Sequence, residues 1–339
     1  MKTSGNNKFV LFALQNTTII LFILVFVIFG VLAPRFFSMQ SFENIVKQAS
    51  FIGIVAVGMT FVLLTAGIDL SVGSNMYISA LTAGMLMKNF DLHPVLAFLA
   101  CLAVGMLFGG INAFFITKLK IIPFVVTLAT LTAGRGISLF FSQSVTVPYP
   151  PEVLKLRTTD LFGLIPLPIV VFLVVVVLAH IFLNMTPLGR QIYAVGNDVE
   201  AAKKAGINTD RVLATVYIIC GLLAALGGYV SVGQMGIVTP AFGEGKEFDA
   251  IAAAVLGGTS LFGGVGSVLP GTVIGAVLIQ MIQAGLIFTK VDLYLQPLIT
   301  AGIIFFAVFL DAVRNTQLAK LRRRNIRTER VAAAEGAGG

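Results

Sequence analysis

Ten runs of mostly apolar residues divide the chain, at about 17–33, 45–66, 71–87, 94–117, 122–142, 163–183, 211–235, 248–267, 268–288 and 293–313. Each approaches the roughly 20 apolar residues that a helix needs to cross a bilayer, and the segments between them are short. The pattern predicts an all-α integral membrane protein of about ten transmembrane helices. The first run follows Lys2 and Lys8 and has the outline of a secretion signal. Pro34 directly after Ala33, and the lack of a small-x-small cleavage site, argue instead for a retained helix. The pair 248–267 and 268–288 meets at a glycine-rich stretch with no charge to fix its side.

Composition removes the soluble alternative. Of 339 residues, 57% are hydrophobic and 11% charged, with a mean hydropathy of +0.97; a soluble domain carries about 25% charged residues. A formal charge of +8 would suit nucleic acid, but Arg314, Lys320, Arg322, Arg323, Arg324, Arg327 and Arg330 put seven of the 23 basic residues in one C-terminal tail. A basic tail after a last span reads as an anchor at an anionic leaflet, so membrane lipid and not nucleic acid is its expected partner.

Orientation follows from the remaining lysines and arginines. With the N-terminus inside, Lys2, Lys8, Lys118, Lys120, Arg190, Lys203, Lys204, Arg211 and the tail give 15 cytoplasmic charges against seven outside. Both termini are therefore expected in the cytoplasm, which an even span count permits. The expected organisation is a cytoplasmic segment 1–16, a transmembrane domain 17–313 with a cytoplasmic loop 184–210, and a basic tail 314–339 expected to be disordered. Cys101 and Cys220 lie singly in apolar runs, and His93 and His180 form no cluster. No disulfide framework, metal site or catalytic residue is indicated.

Glycine is abundant, with 35 copies. Gly105 with Gly109 and Gly271 with Gly275 form G-x-x-x-G pairs, a spacing that lets helix backbones approach closely in lipid. Close packing is the first expectation at both, and gating the other.

Between the second and third runs lies Gly67-Ile68-Asp69-Leu70-Ser71-Val72-Gly73. Ser71 or Asp69 suits a cap for the next helix; alternatively Asp69 belongs to a polar element of a translocation route, since a carboxylate near hydrocarbon is costly unless paired or wet. Arg135 falls inside the fifth run, and either a carboxylate partner or contact with the pathway would explain it. Asn75, Asn112, Asp249, Gln280 and Gln283 are the other polar groups within or beside spans. Neutral amides and hydroxyls suit a hydroxyl-rich solute because they both donate and accept, although most can equally bond neighbouring helices. The candidate pathway residues are Asp69, Ser71, Asn75, Asn112, Arg135 and Asp249.

The polar stretch 184–210 encodes a short helix with its own caps. Asn197 or Asp198 suits the N-cap, Glu200 the first turn, Ala201 and Ala202 the body, Lys203 and Lys204 the last turn, and Gly206 the position after the C-cap. Such a helix is too short to persist alone, so a partner should hold it. A helix resting on lipid would show a stronger apolar stripe.

The run Gly257-Gly258-Thr259-Ser260-Leu261-Phe262-Gly263-Gly264-Val265-Gly266 invites comparison with a phosphate-binding loop. That loop needs a lysine after its second glycine, and Gly264 stands there. A tight inner-face turn is the expected role, and any nucleotide site belongs on another chain.

GIDLSVG at 67–73 resembles the signature of the membrane permeases of ribose-type ABC sugar importers, and the likeness covers nearly the whole chain. It continues through Thr186-Pro187-Leu188-Gly189-Arg190, Tyr193-Ala194-Val195-Gly196, Ala201-Ala202, Gly206-Ile207, Glu247-Phe248-Asp249-Ala250-Ile251-Ala252 and Val255-Leu256-Gly257-Gly258-Thr259-Ser260. Asn197-Asp198 stands where such permeases often carry Gly-Asn.

The resemblance implies a multi-pass subunit of the bacterial inner membrane that does no covalent chemistry. Its partners would be a second permease copy or paralogue, an ABC ATPase that binds ATP and Mg2+, and a periplasmic sugar-binding protein. It also implies that the helix in 184–210 is the coupling helix, with Gly189, Arg190, Tyr193, Gly196, Asn197, Asp198, Glu200, Ala201, Ala202 and Gly206 at the ATPase contact. A branched-chain amino acid permease of similar architecture is the nearest alternative, and an ion-coupled secondary sugar transporter a more distant one. The latter would want a central intramembrane acid. A membrane-embedded enzyme would need a His, Cys or acid cluster that the sequence lacks.

Overall fold

A computed structural model describes residues 17–161, 163, 165–305 and 309. It is all-α apart from two-residue strands. Helices α1 (Thr17–Leu32), α2 (Met39–Leu64), α3 (Val72–Phe90), α4 (Pro94–Thr117) and α5 (Pro123–Ser142) form the first half. After β1 (Val147–Pro148), α6 (Pro151–Thr158) and the hairpin β2 (Asp160–Leu161) to β3 (Ile165–Pro166), α7 (Leu167–Met185) leads to two short helices, α8 (Pro187–Asn197) and α9 (Val199–Lys204). The chain then runs through α10 (Thr209–Met235), β4 (Ile237–Val238), α11 (Lys246–Leu256), α12 (Val273–Phe288) and α13 (Gln296–Phe305). Among the described residues six segments are long and apolar enough to cross a membrane: α2, α4, α5, α7, α10 and the stretch Val268–Phe288 that ends in α12.

The core is built on α2 and α10. Every residue of α2 from Ile52 to Leu64 is buried, as expected for a helix that is apolar on all sides and surrounded by others. Both G-x-x-x-G pairs serve close packing. A Cβ on Gly105 would collide with Ala225 and the Gly221 carbonyl, and one on Gly109 with the Tyr217 carbonyl, so α4 lies directly on the backbone of α10. Gly271 and Gly275 meet the carbonyls of Gly257 and Ala253 in the same way. On the outer surfaces of α1 and α5, Ile23, Leu24, Val31, Phe124, Val125 and Phe140 are all exposed.

The expected span at 248–267 is not a single helix. α11 has 11 residues, about 16 Å at 1.5 Å per residue, roughly half of a ~30 Å hydrocarbon core. Gly258, Gly263, Gly264 and Gly266 all have positive φ, a conformation that ends a helix and that glycine adopts without a Cβ penalty. The segment before α11 is a series of turns. Thr239–Gly245 turns back into the bundle, Gly243 abuts Gly73, and the Lys246 ammonium sits 5.9 Å over the ring of Phe51, in the middle of α2. α3 also starts inside the bundle, because Asn75 reaches the carbonyls of Gly105 and Gly221 midway along α4 and α10.

Other boundaries moved less. α2 starts at Met39 instead of 45 because Ser38 caps it, its hydroxyl accepting from the Ser41 N–H (3.2 Å). The run at 163–183 yields α7 only after the β2–β3 hairpin. On the same end of the bundle β1 pairs with β4, and Tyr149 donates its hydroxyl to the Ala80 carbonyl (2.5 Å). The run at 293–313 contains α13; its residues 306–308 and 310–313, the segment 1–16 and the tail 314–339 lie outside the described residues.

Candidate functional site

At one end of the bundle α8 and α9 form a small platform. Thr186 caps α8 by accepting the Gly189 N–H (3.1 Å), and Gly189 is required because α8 turns back against the carbonyls of Phe182 and Leu183. Ile192, Val195 and Ala202 are buried beneath the platform. The Tyr193 hydroxyl donates to the Gly266 carbonyl at 3.0 Å, and half-burial pushes its pKa up. Gly196 lies against the Leu64 carbonyl and the Gly264 amide, so the glycine-rich turn at 257–266, the end of α2 and the platform form one contact.

The self-capped helix expected in this loop is present as α9. The Asp198 carboxylate accepts the N–H groups of Glu200 (2.9 Å) and Ala201 (3.0 Å), and Gly206 adopts positive φ after the last turn. Asn197 is not a cap; it ends α8 and donates its side-chain amide to the Tyr193 carbonyl (2.9 Å). The sequence reading did not separate α8 from α9. Glu200 pairs with Lys203 (2.8 Å), which holds the ammonium above its ordinary pKa. Arg190, Asn197, Asp198, Glu200, Ala201, Lys203, Lys204 and Gly206 are exposed, while Lys120 pairs with Asp210 (2.5 Å) alongside.

Inside the bundle four polar side chains form a continuous hydrogen-bonded chain. Asp69 Oδ1 accepts both the backbone N–H (2.9 Å) and the hydroxyl (2.6 Å) of Ser71. Asn112 Nδ2 donates to the Ser71 hydroxyl (2.8 Å), and the Thr130 hydroxyl donates to Asn112 Oδ1 (2.8 Å). Of the two expected caps at the start of α3, Asp69 accepts the Ser71 N–H, whereas the Ser71 side chain caps nothing. Ser71 occupies the N-cap position without a side-chain cap bond, since Asp69 has taken up its hydroxyl. Asn75 is equally committed, donating to two helix backbones and accepting from Ser79 (2.9 Å). A buried polar group is tolerated when its hydrogen-bonding capacity is used, and these four sequence-selected residues, Asp69, Ser71, Asn75 and Asn112, are each no more than 1% exposed.

The remaining two pathway candidates lie at the break before α11. Asp249 accepts from Lys246 (2.7 Å) and from Gln283 (3.2 Å). Among the described residues no carboxylate lies within ion-pair distance of Arg135. Its Nη1 donates to the Phe242 carbonyl at 3.5 Å, and its Nη2 is buried with no partner. Beside it stands Glu247, 5% exposed, whose Oε2 also lacks a partner and abuts Gly73. Sequence reasoning passed over Glu247 in favour of Asp249, two positions on. The signal available was its place in the first turn of a helix that begins inside the bundle, and that beginning is visible only in three dimensions. Thr130 was missed for the same reason.

The family described as "Branched-chain amino acid transport system / permease component" matches residues 41–312. The chain is 39% identical over 294 residues to the ribose import permease protein RbsC of Bacillus subtilis, covering 86% of this chain and 90% of the relative. It is 35% identical over 305 residues to the protein of that name from Escherichia coli K12 (88% and 93% covered). It is also 35% identical over 302 residues to the fructose import permease protein FrcC of Rhizobium meliloti (86% and 84%). No solved structure matches.

Proposed function

Because the chain belongs to the branched-chain amino acid transport system / permease component family, we propose that it is the permease subunit of an ATP-driven importer that carries a monosaccharide or related polyol across the bacterial inner membrane. The observation that carries the substrate class is the 35–39% identity to ribose import permeases across most of both chains. A fructose import permease is related to a similar degree. The family description names branched-chain amino acids; GIDLSVG and the Gly-Gly-Thr-Ser run, together with these relatives, favour sugar.

In this reading the chain crosses the membrane ten times, with both termini in the cytoplasm. One of the crossings is composite, formed by 239–245 and α11. α8 and α9 face the cytoplasm, on the side of the larger positive excess. Two permeases, identical or paralogous, sit with ATPase subunits that hold ATP and Mg2+, and a periplasmic binding protein delivers the sugar. The exposed platform residues Arg190, Asn197, Asp198, Glu200 and Ala201 dock in the ATPase. Gly189, Tyr193, Gly196, Ala202 and Gly206 shape the platform and tie it to the bundle. ATPase closure moves the platform, and the contact of Gly196 with Leu64 and Gly264 carries that movement to α2 and to the turn before α12. Asp69, Ser71, Asn75 and Asn112 form a rigid hydrogen-bonded support behind the pathway.

The decisive experiment is reconstitution in vesicles with and without the ATPase and the binding protein, followed by labelled sugar uptake. Uptake that requires ATP and both partners is expected. Robust uptake by the chain alone, driven by an ion gradient, would overturn the importer reading in favour of a secondary transporter.

A further inference from the structure

The break before α11 holds two opposite charges with unused hydrogen-bonding capacity. Glu247 Oε2 and Arg135 Nη2 are both buried and both without a partner. They flank the first turn of α3: the Glu247 carboxylate lies against Gly73, and Gly134, next to Arg135, lies against Ser74. Among the described residues no ion pair joins the two. Three other buried polar atoms lack partners among the described residues, the hydroxyls of Ser41, Tyr217 and Thr259. None of those is charged.

A buried charge left incompletely bonded is costly, so such groups are retained where something supplies the missing partner. The neutral groups first suited to a sugar are already used: Asn75, Asn112, Ser71 and Thr130 bond each other or helix backbones. A carboxylate oxygen accepts from hydroxyls and a guanidinium N–H donates to hydroxyl oxygens. Together they offer a complementary acceptor and donor with no net charge, which suits an uncharged polyol. The lack of a Cβ at Gly73 leaves room for the Glu247 carboxylate against the start of α3.

We propose that Glu247 and Arg135 are the solute-contacting pair of the pathway, the acceptor and donor that take hydroxyls of the sugar as it passes the broken crossing. The inference rests on the sugar-import reading. In the conformation described, Arg135 is partly exposed with its Nη2 buried, and Glu247 is closed off, 5% exposed. Movement of α11 relative to α3 and α5 opens it to the solute.

The test uses the complete importer in vesicles and a panel of D-ribose, D-fructose, D-xylose and ribitol, each with a monodeoxy analogue. If the native complex takes up no panel member with ATP, both the sugar reading and this proposal fall. If it does, Glu247→Gln and Arg135→Gln are each expected to slow uptake of the preferred sugar by about tenfold or more, the loss of a hydrogen bond to a charged group. Both should also lose discrimination against the analogue, while Asp160→Asn, exposed in the β2–β3 hairpin, leaves both properties unchanged. Native uptake and discrimination in both variants would overturn the pairing and leave the importer intact. So would slowed uptake with unaltered discrimination, which marks a packing role. Should the Gln variants fail to assemble, Glu247→Asp, which keeps the charge but withdraws it by one methylene, must shift the order of preference within the panel; an unchanged order overturns the proposal.

Discussion

The backbone N–H of Gly264 donates to the carbonyl of Leu64 at 2.9 Å, and Gly196 packs on that same carbonyl. One oxygen at the end of α2 thus joins the glycine-rich turn to the α8–α9 platform. A Cβ at 196 would strike backbone atoms of both elements, neither of which can rotate aside. Gly196→Ala is expected to destabilise the subunit by about 1–3 kcal/mol, the cost of overpacking. In assembled complexes it should uncouple ATP hydrolysis from uptake. Thermal unfolding in detergent and the ratio of phosphate released to sugar imported measure the two effects.

Asp198→Ala removes the acceptor for the N–H groups of Glu200 and Ala201 and should cost α9 about 0.5–2 kcal/mol. Asp198→Ser should recover most of it. Bulky residues at Glu200 and Ala201, both exposed, leave the fold intact and are expected to weaken copurification of the ATPase. Unchanged copurification would contradict a docking role for this surface.

Asn112→Ala cuts the chain that runs from Asp69 to Thr130 and leaves buried polar atoms unpaired. A loss of about 1–3 kcal/mol is expected, read as a lower unfolding midpoint in detergent. Because Asn112 is bonded wholly within the protein, sugar preference in the surviving fraction should not change. A changed preference would place it in contact with the solute.

Gly105→Leu should prevent α4 from seating on α10 and abolish detergent-stable protein, since even a Cβ there meets Ala225 and Gly221. Gly136→Ala is the matched control: no atom lies within 4 Å of its added Cβ, and the expected change is neutral to about 1 kcal/mol stabilising. A large loss at Gly136 would identify the exposed face of α5 as the seat of the second permease.

Much of this protein is legible from apolar run length alone. α4 and α5 lie almost where the sequence puts them, because a helix that must satisfy every backbone group in lipid needs a fixed length of apolar residues. α9 is equally legible, since the Asp198 cap, the Lys203–Lys204 end and Gly206 act over only three or four residues. Where hydropathy misled is the run 248–267. There an apolar stretch contains both a half-helix and a turn, and hydropathy does not distinguish apolar helix from glycine-rich turn.

The candidate site divides along the same line. The sequence alone determined that Asp69, Asn112 and Arg135 lie among apolar segments and so require partners, because hydrocarbon provides none. Which partners they have was decided by tertiary structure: Asp69 and Asn112 are satisfied through contacts between α3, α4 and α5, whereas Arg135 is not. Glu247 becomes prominent only because 239–245 folds inward and starts α11 beside Gly73. Residue identity sets the hydrogen-bonding capacity of each group. Whether that capacity is used depends on neighbours far away in the chain, and those are fixed only when the helices pack.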